Sequence, residues 1–418
     1  MLAASPSGLQ AQSTDLQGNT DFAYAEKLAS DGYVELAIEQ YKDFIARFPG
    51  DSRVAEARRR IADGYTGLKM YAEARSHYEK LLLQYPASPF AQDALYQIGV
   101  CFEQEGAVAE AARQFERFAV LNESSPRAAD GFLRAGRLYL TVAERTNGRK
   151  LLFRVIENNP QQQAAVAEAH FLLIQDFVDA GEYNRAFSLV NLYLQQFAQV
   201  TATAQIWLIK AGLHETLGQI SETITTLEAV QSRFAGTSEA RQATFELGRL
   251  HFELGNLDKA HALLAKLEPS GSGGDSLVVE AALLHAQVFL DEQRLRDAAE
   301  RVQPVLAAAG GLTAEQRVRC ADVFYLAGDF QKAAEIYDAA RRGIAEGNDS
   351  LRATVAFKSA RAFFELGNGA RAVDGLRSIS PEDTPPSIEA DVHLLRADIY
   401  FELYEDPARA LRHYAEFV

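Results

Sequence analysis

Two histidines, His214 and His251, have the spacing that could support chemistry, because they stand 37 residues apart and that interval recurs through the chain. In a periodic fold the two imidazoles would occupy equivalent places in neighbouring units, where they could share a metal ion. The other interpretation is that each imidazole replaces a Tyr or Phe ring at a partly buried seam. This second interpretation is favoured, and we therefore expect no metal site.

Motifs of enzymes and cofactor sites are missing from the sequence. The only two cysteines, Cys101 and Cys320, lie far apart and lack CxxC or histidine spacing, so they do not form a metal site by sequence. The glycine- and serine-rich residues 271–274 follow a helical pattern and lack the lysine of a phosphate-binding loop. We expect a non-enzymatic protein with no catalytic residues and no cofactor.

The 37-residue interval belongs to a repeat that spans nearly the whole sequence. Copies align on one mostly aromatic position, here called the anchor, and successive anchors are 35 to 39 residues apart. The anchors are Leu28, Tyr65, Phe102, Tyr139, Phe177, His214, His251, Phe289, Phe324, Phe363 and Tyr400. Such a period indicates a stack of similar units, each of which cannot bury its apolar face alone.

Four other positions keep step with the anchor. Three residues before it the residue is Gly or Ala in ten of eleven copies, which lets a neighbouring helix approach closely. Four residues after it Gly recurs, which suits the left-handed end of a helix. Ala nine residues after it and a large apolar residue thirteen after it predict the buried face of a second helix. Each copy is therefore predicted to be a pair of antiparallel helices.

This pattern resembles the tetratricopeptide repeat family over about residues 18–418. Its clearest matches are ALYQIGVCFEQEGAVAEAARQFERF (94–118) and FELGRLHFELGNLDKAHALL (245–264). The resemblance implies an all-α, right-handed superhelical solenoid of about eleven helix-turn-helix repeats whose first helices line a concave, partner-binding wall. Segments such as YPASPFAQDALYQIG are most similar to members of the family from the bacterial cell envelope. These members are the TolA-binding division coordinator and the outer-membrane assembly lipoprotein.

The repeat predicts the organisation of the chain. Residues 1–17 are expected to be a disordered leader or a signal-peptide remnant, followed by repeats 1–7 over 18–268 and repeats 8–11 over 277–418. The flexible segment 269–276 is either a loop between stacked repeats or a hinge, and the loop is favoured because the register resumes after it. Gly148 predicts a short or displaced second helix in repeat 4, beginning near Arg149. Arg409, between Ala408 and Ala410, predicts a slip of one residue in repeat 11.

Aromatic, Arg and Gln positions on the first helices are the candidate partner-binding residues, and they suit an extended peptide or a partner helix. The alternative is that the aromatics pack between repeats and the charges are only solvated. The candidates are Tyr96, Arg137, Gln175, Arg249, Phe252, Gln287, Tyr325, Arg361 and Phe364. Arg137, Arg249 and Arg361 are spaced by 112 residues, or three repeats.

Charge and hydropathy limit the partners. A formal net charge of −15 opposes binding to nucleic acid, and no stretch approaches the length of a membrane span. We expect a scaffold for protein or peptide partners in a bacterial envelope complex, located in the periplasm or cell envelope or, alternatively, in the cytoplasm. The alternative function is a regulatory or substrate-recruiting arm of a larger enzyme that continues beyond residue 418.

Overall fold

The computed structural model describes residues 6–197, 203–267, 275–307, 312–380, 382 and 384–417. Within them the regular structure is helical throughout, with twenty-two α-helices and no strand. Contacts divide the chain into two compact units, Met1–Ile206 and Trp207–Val418. The division falls inside an α-helix and not at the Gly/Ser segment. That segment, which we expected to be a loop or a hinge, lies outside the described residues up to residue 274.

The first unit contains five hairpins of consecutive helices. Their bounds are α1 (Pro6–Ser30), α2 (Val34–Arg47), α3 (Val54–Gly67), α4 (Tyr71–Gln84), α5 (Ala91–Gln104), α6 (Val108–Leu121), α7 (Ala128–Thr141), α8 (Arg145–Asn158), α9 (Gln163–Asp179) and α10 (Tyr183–Gln196). Residues 6–17, which lie in the segment expected to be a disordered leader or a signal-peptide remnant, belong to α1.

The second unit contains the remaining hairpins, with α11 beginning just before the division. The bounds are α11 (Thr203–Thr216), α12 (Ile220–Arg233), α13 (Ser238–Glu253), α14 (Leu257–Leu264), α15 (Ser276–Asp291), α16 (Leu295–Ala307), α17 (Ala314–Leu326), α18 (Phe330–Arg342), α19 (Asp349–Glu365), α20 (Gly369–Arg377), α21 (Pro386–Asp398) and α22 (Pro407–Phe417). A 3₁₀ turn, Ala265–Leu267, follows α14, and a π-helical turn, Ile399–Leu403, follows α21.

Each predicted repeat is one helical hairpin, and consecutive helices pack on one another within each unit. The predicted all-α helical-repeat solenoid is confirmed. Its core consists of small residues of the first helices against large residues of the second helices. In the second unit the apolar cluster around Ala321, Tyr337 and Ala360 continues through several hairpins. Neighbouring hairpins therefore bury one another's apolar faces, as the repeat pattern predicts.

The small position and the position thirteen after the anchor are in direct contact. A methyl group added at Gly99, Gly136 or Gly248 would lie 3.0, 2.8 or 2.7 Å from its nearest neighbour. Those neighbours are Phe115, Leu152 and Leu264, each thirteen residues after the anchor of the same repeat. In these three hairpins the small residue is therefore a packing requirement.

The turn of each hairpin is closed by the carbonyl oxygen of the anchor. In the first ten repeats it accepts a hydrogen bond of 2.8–2.9 Å from the backbone N–H five residues later. The residue four after the anchor has positive φ in all ten, and it is Gly in seven of them. This is the arrangement that ends a helix with a left-handed residue.

Repeat 11 has the predicted slip of one residue. Here the anchor Tyr400 accepts from the N–H of Asp406, six residues later, and Glu405 has the positive φ. The π-helical turn Ile399–Leu403 accommodates the extra residue. Ala410 is consequently the buried alanine of this hairpin.

The prediction for repeat 4 is wrong, because α8 is a full helix of 14 residues that begins at Arg145. Gly148 lies where α8 crosses α7: a methyl group there would be 2.9 Å from the carbonyl oxygen of Gly136 and 2.7 Å from Leu140. Glycine weakens an isolated helix, but here it permits a close helix contact that stabilises the hairpin.

Gly106→Ala is expected to destabilise the α5–α6 hairpin by about 1 kcal/mol, because an L-residue resists positive φ. A methyl group at Gly106 would meet nothing within 4 Å, so the cost is conformational only. Hydrogen exchange of α5 and α6 amides measures it. Gly67→Ala is the matched control, since Gly67 is the last helical residue of α3 and also faces open space, but does not have positive φ. Equal effects of the two substitutions would contradict this explanation.

Gly148→Ala is expected to destabilise the α7–α8 hairpin by about 1–3 kcal/mol through overpacking, although Ala is the better helix former. Urea unfolding followed by circular dichroism, together with hydrogen exchange in α7 and α8, measures the change. Increased protection of α8 in this variant would show that Gly148 is not a packing requirement.

Candidate functional site

The candidate partner-binding residues separate into buried, paired and accessible side chains. Tyr96 is only 4% exposed, and its ring makes edge contacts with Phe115 and Phe118. Its hydroxyl donates to Asp130 of the next repeat, and the Arg127 guanidinium lies 4.0 Å from its ring centroid. Tyr96 therefore packs between repeats. Because it is buried, we no longer assign it to an open contact surface.

Two of the three regularly spaced arginines form ion pairs with neighbouring repeats. Arg137 pairs with Glu168. Arg249 pairs with Glu215 at 2.7 Å and also contacts Glu246 and Glu253 at 2.8 and 2.7 Å. Exposed pairs of this kind add little stability, but they occupy the positive charge that a partner would need.

The remaining candidates lie mostly in the second unit. Gln175 in α9 is half-buried, and exposed Gln287 in α15 donates to Asp291 at 2.8 Å. Phe252 and Phe364 are partly buried and pack against apolar clusters of the core. Tyr325 and Arg361 share a pocket.

The pocket between α17 and α19 has a volume of about 310 Å³. Its lining comes from both first helices and from the second helix between them. The lining residues are Asp322, Tyr325, Leu326, Tyr337, Phe357, Lys358 and Arg361. Leu326 is 56% exposed at the rim, whereas Phe357 and Tyr337 are buried.

Polar side chains hold one wall of this pocket in place. Lys358 Nζ lies 2.7 Å from Asp322 Oδ2, and the Tyr337 hydroxyl donates to Asp322 Oδ1 at 2.5 Å. Burial and then the Asp322 charge raise the pKa of Tyr337, so the phenol stays protonated as a donor. The contacts neutralise Asp322 and fix the Lys358 side chain.

Arg361 provides positive charge at the exposed side of the pocket. It makes no ion pair with any carboxylate of the described residues. Its guanidinium lies 5.8 Å from the Tyr325 ring centroid, and the Tyr325 hydroxyl donates to Glu365 at 3.2 Å. The pocket thus combines an apolar floor with one available cation, which suits an apolar side chain next to a carboxylate.

His214 and His251 each bond within their own hairpin. His214 Nδ1 lies 2.7 Å from Gln219 Oε1, and His251 Nδ1 lies 3.4 Å from Asn256 Nδ2. Both imidazoles are buried. The interpretation that each imidazole replaces an aromatic ring stays a prediction.

A histidine pair that the sequence analysis missed lies between α14 and α15. His261 Nδ1 is 2.8 Å from His285 Nε2, and His261 Nε2 is 3.0 Å from Glu292 Oε2. Burial lowers the pKa of His285 to about 4. The charged groups that act on it are Arg301, His261, Arg294 and Glu292. The two histidines stand 24 residues apart, so the 37-residue period gives no signal for this pair.

Both cysteines are buried and free. Burial raises the pKa of both thiols, that of Cys320 to about 12. Since thiolate is the reactive form, neither is suited to act as a nucleophile.

The tetratricopeptide repeat model matches residues 61–129, 202–275 and 283–350, just over half of the chain. The chain belongs to the tetratricopeptide repeat family. Repeats of this family are protein-interaction modules, so proteins or peptides are the expected class of partner.

Solved structures to which the chain is similar have low sequence identity to it. Naa15/Naa10 bound to HypK-THB is 15% identical and has a TM-score of 0.40, with 98% of this chain and 72% of that chain covered. A tetratricopeptide repeat protein from Parabacteroides merdae is 15% identical, with a TM-score of 0.39 and 66% and 98% covered. YrrB, described as a repeat protein with an unusual peptide-binding site, is 17% identical, with a TM-score of 0.36 and 49% and 96% covered.

Comparison with curated proteins gives no match. Among the residues that the structure describes, no helix combines the length and the apolar character that crossing a bilayer requires.

Acid is expected to weaken the α14–α15 contact through His285. The pKa of His285 is about 4 when folded and 6.5 ordinarily, so the unfolded state binds more protons between these values. The stabilisation that depends on neutral His285 is complete above about pH 6.5. Roughly 2–3 kcal/mol of it is lost as the pH falls towards 4. Hydrogen exchange of α14 and α15 at pH 7.5 and pH 5, corrected for intrinsic rates, measures the loss.

His285→Phe keeps a ring stacked on Phe289 and should remove most of this pH dependence. The local measurement is needed because the pKa of His77 is also lowered to about 4, so acid acts on α4 independently. An unchanged pH dependence of α14–α15 exchange in His285→Phe would contradict the assignment.

Proposed function

We propose that the protein is a non-enzymatic interaction scaffold whose α17–α19 pocket binds a segment of a partner protein. The segment presents an apolar side chain to the floor formed by Phe357 and Tyr337 and a carboxylate to Arg361. The observation that carries the proposal is the combination, in one pocket, of an apolar floor and an arginine that has no ion pair in the described chain.

The energetics favour a short acidic and apolar segment. Burying one aliphatic or aromatic side chain contributes about 1.5–3 kcal/mol. An Arg–carboxylate contact adds a charge-assisted hydrogen bond and directional specificity. Lys358 contributes less, because Asp322 already neutralises it. Leu326 and Tyr325 extend the contact at the rim.

The other first helices offer weaker sites. Arg137 and Arg249 are paired, and Tyr96 is buried, so a partner would have to displace contacts within the chain. We therefore assign the specific contact to Tyr325, Arg361 and their neighbours, and we do not include Gln175 or Gln287 in this site. A location in a bacterial envelope complex stays a prediction, which cell fractionation of the source organism checks.

The test selects 12-residue peptides from a random displayed library on the full chain and measures their affinities by fluorescence anisotropy. Selected sequences are expected to pair an apolar or aromatic residue with Asp or Glu. Arg361→Glu and Leu326→Asp should each weaken binding at least about tenfold, or about 1.4 kcal/mol. Protection from hydrogen exchange should increase in α17 and α19.

Arg296→Glu is the matched control, because it makes the same charge change on exposed α16, where Arg296 pairs only with Glu300. Two results would overturn the proposal: selected peptides that bind Arg361→Glu and Arg296→Glu equally well, or an intact chain that enriches no sequence. Protection confined to helices other than α17 and α19 would also contradict it.

A further inference from the structure

The hairpin α21–α22 brings together three side chains that are metal ligands in other proteins. His393 lies on α21, and His413 and Glu416 lie on α22. One ligand atom from each residue lies within 4.8 Å of the other two. His413 and Glu416 are three residues apart, which places both on the same face of α22.

The two imidazoles converge on a single carboxylate oxygen. Glu416 Oε2 lies 2.9 Å from His413 Nδ1 and 3.1 Å from His393 Nδ1. Each imidazole is about one-quarter exposed, so it has access to water as a hydrogen-bond partner. The contacts with Glu416 are therefore not a consequence of burial alone. The arrangement draws two nitrogens and one oxygen towards one point between the helices.

We propose that His393, His413 and Glu416 form a Zn²⁺ site that ties α22 to α21. Zinc accepts imidazole nitrogen and carboxylate oxygen at about 2.0–2.2 Å, so its ligand atoms stand about 3.3 Å apart in a tetrahedron. The two distances to Glu416 Oε2 are within a few tenths of an ångström of that value. The imidazole nitrogens are at most 4.8 Å apart and need an approach of about 1.5 Å or less.

Neighbouring residues support this ligand set. The Tyr400 ring is stacked on His413, with centroids 5.6 Å apart and planes inclined by 10°, which restrains the imidazole. Arg396, whose charge acts on Glu416, donates instead to the Leu376 carbonyl oxygen at 2.8 Å.

The accessible side of the site leaves a fourth position for water. Glu416 is about half exposed, so a hydrated ion reaches the ligands without opening the hairpin. Two imidazoles favour Zn²⁺ over Mg²⁺, which prefers oxygen ligands only. Because the ligands come from two helices, the bound ion would stabilise their contact by mass action. The proposed role of the site is structural: the ion holds α22 against α21.

Calorimetric titration of untagged full-length protein with ZnCl₂, in a buffer that does not bind metals, tests the proposal. Wild type is expected to bind one Zn²⁺ per chain, with no heat from MgCl₂ at the same concentrations. Zinc should also slow hydrogen exchange of α21 and α22, and chelation should reverse this effect.

Glu416→Gln and His393→Phe should each abolish the calorimetric signal and the zinc-dependent protection. His413→Phe should do the same while it keeps a ring beside Tyr400. Glu389→Gln, an exposed change on the first turn of α21, is the matched control and should bind as wild type does. Circular dichroism verifies that each variant is folded.

Absence of zinc binding by wild type would overturn the proposal. So would equal zinc binding by Glu416→Gln and wild type, which would place the ion elsewhere. Equal binding of Mg²⁺ and Zn²⁺ would show only attraction to an acidic surface and would likewise reject the site.

Discussion

The close contact between a small residue of the first helix and a large residue of the second helix is the constraint on which the rest of the structure depends. At Gly99, Gly136 and Gly248 even a methyl group would come within 3.0 Å of Phe115, Leu152 or Leu264. Interiors packed at this density do not accommodate extra volume without strain. The contact sets the separation of the helices, and that separation lets the next hairpin cover the remaining apolar face.

The turn converts this local packing into a regular period. The anchor carbonyl accepts from the N–H five residues later in ten repeats, and the left-handed residue before that N–H reverses the chain. Repeat 11 keeps the same chemistry with one more residue, because a π-helical turn accommodates it. The same type of hydrogen bond therefore closes the turn of every hairpin, and the variation in anchor spacing among the first ten repeats arises outside the turn.

Several arginines form ion pairs between neighbouring repeats. Arg134 pairs with Glu103, and Arg319 pairs with Glu280, each across neighbouring repeats. Such pairs contribute little free energy, yet they decide which cations remain for a partner. Arg137, Arg249 and Arg361 occupy equivalent repeat positions, but only Arg361 lacks an ion pair in the described chain. The proposed partner site follows from that difference, and the proposed zinc site follows from two helices that face each other in one hairpin.

The sequence by itself determined the repeat, the number of hairpins, their turns and most of their buried positions, because these follow from short-range periodicity. It could not assign α8, since whether Gly148 breaks a helix or permits a close crossing depends on the backbone of α7. Nor could it separate Tyr96, buried between repeats, from Tyr325, beside a pocket, although both are aromatic residues of first helices. Only the tertiary structure shows which side chains meet in the His261–His285 pair, in the group of His393, His413 and Glu416, and in the ion pairs of the arginines. Those contacts join side chains of different helices at separations that no period marks, so they depend on how the helices pack.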